Sequence, residues 1–341
     1  MADDAQLIEV FDSRVKRRAE RRDFFKTALG GAAAVAGASG FFYADAALAQ
    51  VTPTDPDILN FALNLEYLEA QFYLYAAKGT GLPANQQTGT GTQGGLAAPV
   101  GSLPARKVVF TDPLVSAYAQ EIANDEAAHV AFLRTALGTA AVAQPQLNIS
   151  GGPGSAFAAA ATAAGLAGGA NFDPYADDNS FLLGAFIFED VGVTAYKGAA
   201  PLLASKVFLE AAAGLLAVEA YHASLVRTVL YAKGVVTPSL RTSADAISDA
   251  RDSLDGTTAA QVPTDAITGK AADDDQGISP VTAGSFGTGS NIAPLNANGL
   301  AFSRTTGQVL NIVYLNKAAV TLGGFFPAGV NGAIKTSANN A

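Results

Sequence analysis

Two histidines occur in the 341 residues, and each follows a glutamate by three positions. His129 closes Asp125-Glu126-Ala127-Ala128-His129, and His222 closes Val218-Glu219-Ala220-Tyr221-His222. Both pentads lie in stretches whose apolar residues recur at helical spacing. At roughly 100° per residue, side chains three apart on a helix share one face. A carboxylate oxygen and an imidazole nitrogen then reach one point. A single pair of this kind is more often a surface ion pair; two pairs that hold every histidine in the chain point to a built site.

The agreement extends beyond the pentads. Glu126-Ala-x-His129-x-x-x-Leu133-Arg134-Thr135-x-Leu137 aligns without gaps on Glu219-Ala-x-His222-x-x-x-Val226-Arg227-Thr228-x-Leu230. Glu66 is followed seven residues on by Tyr73, and Glu189 seven residues on by Tyr196. The chain reads as a duplicated helical hairpin, each copy giving a Glu-x6-Tyr helix and a Glu-x-x-His helix.

Four long helices are predicted, over 53–78, 112–137, 178–197 and 202–233. Thr54 or Asp55 caps the first with Pro56 in its first turn, and Thr111 or Asp112 caps the second with Pro113 at its start. Residues 79–105 and 139–177 are Gly/Pro-rich connections, the latter with a short helix near 158–164. Beyond 234 the pattern is low, and one short helix is predicted there, behind the capping box Thr305-Thr306-Gly307-Gln308. The rest of that segment either wraps the bundle as ordered loops or is partly mobile. The domain reading is a leader over 1–49, a bundle over 50–234 and a Gly/Ala/Asn-rich extension over 235–341, packed on the bundle.

This ligand pattern resembles the ferritin-like di-iron and di-manganese carboxylate proteins, in which two helices each give a Glu and two each give Glu-x-x-His. The segment from Leu59 to Tyr73 and the C-terminal pieces Ala301-Phe302-Ser303-Arg304-Thr305 and Gly323-Gly324-Phe325-Phe326-Pro327 are similar to the exported ferritin-like domain family that includes plant desiccation-related proteins. The resemblance implies an all-α, ferritin-like four-helix bundle with one long crossover, long Gly-rich loops and an extended C-terminal segment. It implies metal ligands at Glu66, Glu126, His129, Glu189, Glu219 and His222, holding two ions, iron first and manganese next. Either Glu126 with Glu219 or Glu66 with Glu189 would bridge. Charge supports a metal independently, because four converging buried carboxylates need about two divalent cations to offset their repulsion and lost hydration.

Neighbouring residues carry open readings. Glu69 is a seventh ligand, an acid behind the ligands or an ion-pair partner. Tyr73 and Tyr196 pack in the core by default, with hydrogen bonding to the ligands next and radical chemistry third. Asp125 and Asp190 face solvent or hold a ligating histidine; Arg134 and Arg227 are read as helix-end or surface residues.

Paired Arg21-Arg22, then Phe24-Phe25-Lys26, an apolar Gly-rich run and Ala47-Leu48-Ala49 resemble a twin-arginine leader, so the chain is expected in the periplasm or cell envelope without a stable membrane span. The net charge of −9 argues against nucleic acid. The absence of cysteine excludes disulfides and thiolate chemistry. The expected function is reaction with O2 or peroxide, of ferroxidase, peroxidase or catalase type. The alternative is a non-catalytic stress or surface-assembly protein that the metals staple. An oligomer is compatible with either, and a closed storage cage is disfavoured by the long loops and tail.

Overall fold

A computed structural model describes residues 52–256, 275–282, 288–296 and 298–340. The expected leader, 1–49, lies outside the described residues.

Seven α-helices are present among them: α1 (Asp55–Lys78), α2 (Pro113–Leu137), α3 (Ala156–Ala163), α4 (Asp178–Ala199), α5 (Lys206–Val236), α6 (Pro238–Asp255) and α7 (Thr306–Tyr314). Short polar side chains start six of the seven. Thr54 and Asp57 form a capping box on α1, while Asp112, Ser155, Asp177 and Ser205 each accept a backbone N–H of the helix they open. Thr305 and Gln308 form the second capping box, on α7. Gly79, left-handed at φ 78°, ends α1.

The fold is the all-α bundle that the sequence implied. α1 packs along α2 and α4 along α5, and the two hairpins meet through α1 with α4 and α2 with α5. The crossover between them carries α3. The long first connection is not loose: its backbone runs beside residues 141–151, with Thr90 N bonded to Ala141 O at 2.9 Å and Leu103 N to Gly151 O at 2.8 Å. Phe72 anchors one end of the core, its ring 5.1 to 5.8 Å from those of Phe157, Tyr175, Phe181 and Phe188.

The C-terminal extension is ordered onto this frame over its described residues. Phe325 is fully buried against Phe157 and Phe188, at 5.1 and 4.9 Å; truncating such a ring to Ala costs about 3–5 kcal/mol. Asn331 bonds Asn64 of α1, Thr92 of the first connection and Ala143. A two-residue antiparallel ladder pairs Val281 with Gly289 and Thr282 with Thr288.

The extension corrects the expectation of a single short helix there. α6 lies against α5, α4 and α7, burying Leu240, Ala244, Ile247, Ser248, Arg251 and Asp255. Those positions follow helical spacing, but three of the six are polar or charged, so no apolar stripe marked the helix.

Arg227 is also corrected. It is fully buried, not at a surface, and donates to Asp190 at 2.6 Å and to the carbonyls of Gln276, Gly277 and Asn291. Asp190, expected toward solvent or a histidine, is buried between Arg227 and Arg251. The chain of charges continues from Arg251 to Asp275 at 2.7 Å, then to Arg304 at 2.8 Å and Asp255 at 2.5 Å. Three arginines balance three aspartates, tying α4 and α5 to α6 and the later extension. Arg134 is partly buried and bonds the Tyr67 hydroxyl at 2.6 Å and the Asn85 and Thr88 carbonyls.

By length and composition one described helix, α5, is long and apolar enough to cross a membrane. It is a bundle member whose Glu219 and His222 are buried.

Candidate metal centre

The helix spacing turns Glu66 on α1, Glu126 and His129 on α2, Glu189 on α4, and Glu219 and His222 on α5 toward one buried cluster. The glutamates are 0–1% exposed, and the histidines 7% and 2%. One donor atom each from Glu66, Glu126, His129 and Glu219 lies within 4.8 Å of the others. His129 Nδ1 is 3.2 Å from Glu66, 3.4 Å from Glu126 and 3.8 Å from Glu219. His222 Nδ1 is 3.0 Å from Glu126 and 3.7 Å from Glu189. Glu126 thus stands between both imidazoles, whose ring centroids are 6.3 Å apart. All six residues that the sequence singled out as candidate ligands come together.

The two tyrosines interlock the hairpins. Tyr73 of α1 donates to Glu189 of α4, and Tyr196 of α4 donates to Glu66 of α1. The crossing order shows that α1 and α4 run antiparallel. Each Glu-x6-Tyr helix holds its partner's glutamate, which places both hydroxyls on candidate ligands.

Burial pushes the Glu66 carboxyl up to about 7, with the Glu126 charge adding and His129 opposing. Burial and the Glu126 charge likewise bring Glu189 to about 8 against the pull of His222. Burial also raises Glu219 and Glu69 well above the carboxylate range, helped by the other glutamates. Burial opposes ionisation of Glu126 too, but bonds and charge from His129 and His222 outweigh it and hold this carboxyl low. The histidines gain in return: despite burial, His129 rises to about 11 through Glu66 and Glu126, and His222 to about 9 through Glu126 and Glu189. Burial and mutual repulsion thus favour protons on Glu66, Glu69, Glu189 and Glu219, and the carboxylates favour them on both imidazoles.

Both oxygens of Glu126 and of Glu219, and one of Glu189, are buried without a well-aligned hydrogen bond, although imidazole nitrogens lie at ion-pair distance from several of them. Buried carboxylate oxygens without donors are rare and costly. Together with two imidazoles, they form the mixed oxygen and nitrogen set that suits iron, manganese or zinc. The donor set therefore fits divalent metal.

Three neighbours shape the cluster. Asp125, half-exposed, reaches the outer nitrogen of His222, with Oδ2 3.2 Å from Nε2. Gly192, one turn after Glu189, makes room for Glu219: a Cβ there would stand 2.2 Å from Glu219 Oε2. Sequence reasoning passed over Gly192, although a mid-helix glycine three residues from a candidate ligand was a usable signal. Glu69 is buried and lines a cavity of about 20 Å³ with Gly192, under Ile312, Val313 and Phe325.

Residues 54–232 match the family described as ferritin-like domain. A ferritin-like catalase of Nesocodon mauritianus is 31% identical over 292 residues, covering 83% of this chain and 86% of that protein. A desiccation-related protein of Craterostigma plantagineum is 34% identical over 182 residues, 53% of this chain and 54% of its own. No solved structure gives a significant match.

Proposed function

The chain belongs to the ferritin-like domain family, and from that premise we propose that it is an exported dinuclear-metal protein that disproportionates hydrogen peroxide. Two iron or manganese ions would be held by Glu66, Glu126, His129, Glu189, Glu219 and His222. The observation that carries this reading is the convergence of those six buried side chains from four helices, with both Glu219 oxygens buried without a hydrogen-bond donor. Peroxide as substrate rests on the likeness to the ferritin-like catalase.

Bound metals would supply a two-electron store: one H2O2 would be oxidised to O2, giving up two electrons and two protons, and a second H2O2 would take both up to give two H2O. The chain does the rest. Glu126, which faces both imidazoles, and Glu219, which shares a cluster with Glu66 and His129, would be among the carboxylates that hold the ions. Tyr73 and Tyr196 each occupy one oxygen of Glu189 and Glu66, leaving the other oxygen toward the cluster. The two protons that the first peroxide releases and the second takes up need carriers, and buried carboxyls with raised proton affinity, Glu69 among them, are suited to hold them. Apolar packing from Leu65, Leu68, Val191 and Phe325 keeps bulk water away.

Oxygen release from hydrogen peroxide, followed with an electrode on protein loaded with iron or manganese, tests the proposal. One O2 per two peroxides, abolished by Glu126→Ala, is expected; no release from any form carrying two metals per chain would overturn it. The resemblance to a twin-arginine leader supports export, and envelope protein whose N-terminus is Gln50 is the expected sign.

A second reading follows from the likeness to the desiccation-related protein. In it the metals only staple the bundle, so chelation would lower the melting temperature of a protein that never turns over peroxide.

A further inference from the structure

We propose that Asp125 governs the affinity of one metal position alone, acting through His222, so the two positions are chemically unequal despite their repeated ligands. The inference rests on the two-metal reading and deepens it.

The two nitrogens of His222 are divided between the cluster and Asp125. Nδ1 faces Glu126 and Glu189, at 3.0 and 3.7 Å, while Nε2 meets Asp125 Oδ2 at 3.2 Å. A carboxylate behind an imidazole fixes which nitrogen carries the proton, holds the ring in plane and makes the ligating nitrogen a better donor. The repeat makes this arrangement single. Asp125 immediately precedes Glu126, and the residue in the same place before Glu219 is Val218, which has no acceptor to offer.

The contact crosses from α2 to α5, so Asp125 acts on the other hairpin's histidine. Its side chain is 42% exposed, whereas His222 is 2% exposed. Replacing Asp125 therefore opens no hole in the core and leaves the six candidate ligands in place. It removes the support of one imidazole. The position served by His222 and Glu189 should feel the change, and the position served by His129 and Glu66 should not.

Cobalt(II) titration of the metal-free full-length protein, followed by visible absorption and calorimetry, reads both positions. Wild type is expected to take two equivalents per chain. Asp125→Asn should weaken one of the two steps by about 10–100-fold and leave the other unchanged, with helicity by circular dichroism retained. Combined variants locate the effect. Adding Asp125→Asn to His222→Ala should change nothing further, because the residue it acts through is gone; adding it to His129→Ala should weaken the remaining site by the same factor. Equal weakening of both steps, no weakening of either, or a further loss on top of His222→Ala would overturn the inference. Folded wild type that takes up no cobalt would instead remove the two-metal reading beneath it.

Discussion

In the α1–α2 hairpin the residue after the first candidate ligand is Tyr67, bonded by a partly buried Arg134; in the α4–α5 hairpin it is Asp190, paired with a fully buried Arg227. The arginines occupy the same place in the repeat, and each reaches the residue after its own hairpin's glutamate. In the first, Arg134 meets the neutral hydroxyl of a buried Tyr67 and also pins the 85–88 turn. The second is an ion pair inside a six-residue charge network that pins the extension. The positions one turn past the ligands differ as well, Glu69 on α1 and Gly192 on α4, and both line the same small cavity. The six candidate ligands and the two tyrosines are repeated between the hairpins, whereas the residues that support them, Asp125 against Val218 and Glu69 against Gly192, are not. The second hairpin has become the one on which the C-terminal segment is built.

The sharpest break in that symmetry should appear in stability. Arg227→Ala leaves buried aspartate short of its partner and should cost about 3–5 kcal/mol, whereas Arg134→Ala, losing neutral and partly exposed bonds, should cost ~1 kcal/mol. Urea unfolding of the two variants measures both. Equal costs would mean that the two supports are equivalent after all.

How far the sequence reached follows the same division. The candidate ligands, the tyrosines and three of the six caps, those of α1, α2 and α7, were legible because each depends on spacing within one helix. The tyrosine–glutamate exchange was legible as residues but not as pairs, since it depends on α1 and α4 crossing antiparallel in one register. Arg227 read as a surface residue because its partners lie 37 to 64 positions away. α6 was missed because the face it buries includes Ser248, Arg251 and Asp255, whose neutralisation comes from Asp190, Asp275 and Arg304 in other elements. Local periodicity cannot reveal a polar face that is made safe by distant partners.

Gly192→Ala probes the second difference. The added methyl would collide with Glu219 Oε2 and should weaken metal binding at least about tenfold, ~1.4 kcal/mol. In the metal-free protein, helix propensity works the other way, favouring Ala by about 1 kcal/mol. Calorimetric metal titration beside thermal unfolding of the metal-free form would show the two signs apart. Unchanged affinity would show that Glu219 has room to move.

A third expectation concerns pH and treats the halves alike. Without metal, Glu66 and Glu189 keep their protons to about 7 and about 8, against an ordinary 4.5, so the folded state binds more protons than the unfolded one. Their stabilisation is complete below about pH 4.5 and is lost as pH rises through 7 and 8. The histidines extend the decline, being raised from 6.5 to about 9 and about 11. Metal requires the deprotonated ligands, so its stabilisation grows over the same range. The melting-temperature gap between loaded and metal-free protein should widen from pH 5 to pH 8, and a constant gap would contradict the proton placement.

The smallest effect tests the reciprocity itself. Tyr73→Phe and Tyr196→Phe each remove one hydrogen bond to a buried glutamate and should each cost about 1 kcal/mol, close to one another, by urea unfolding. A large cost from one and none from the other would show that only one of the paired contacts matters.

The most direct measurement is the number of metal ions per chain, by elemental analysis, in wild type and in the Glu126→Ala, Glu219→Ala double variant after loading with iron or manganese. The account predicts about two per chain in wild type and none in a double variant that keeps its helical fold. Two metals retained by the double variant would contradict it.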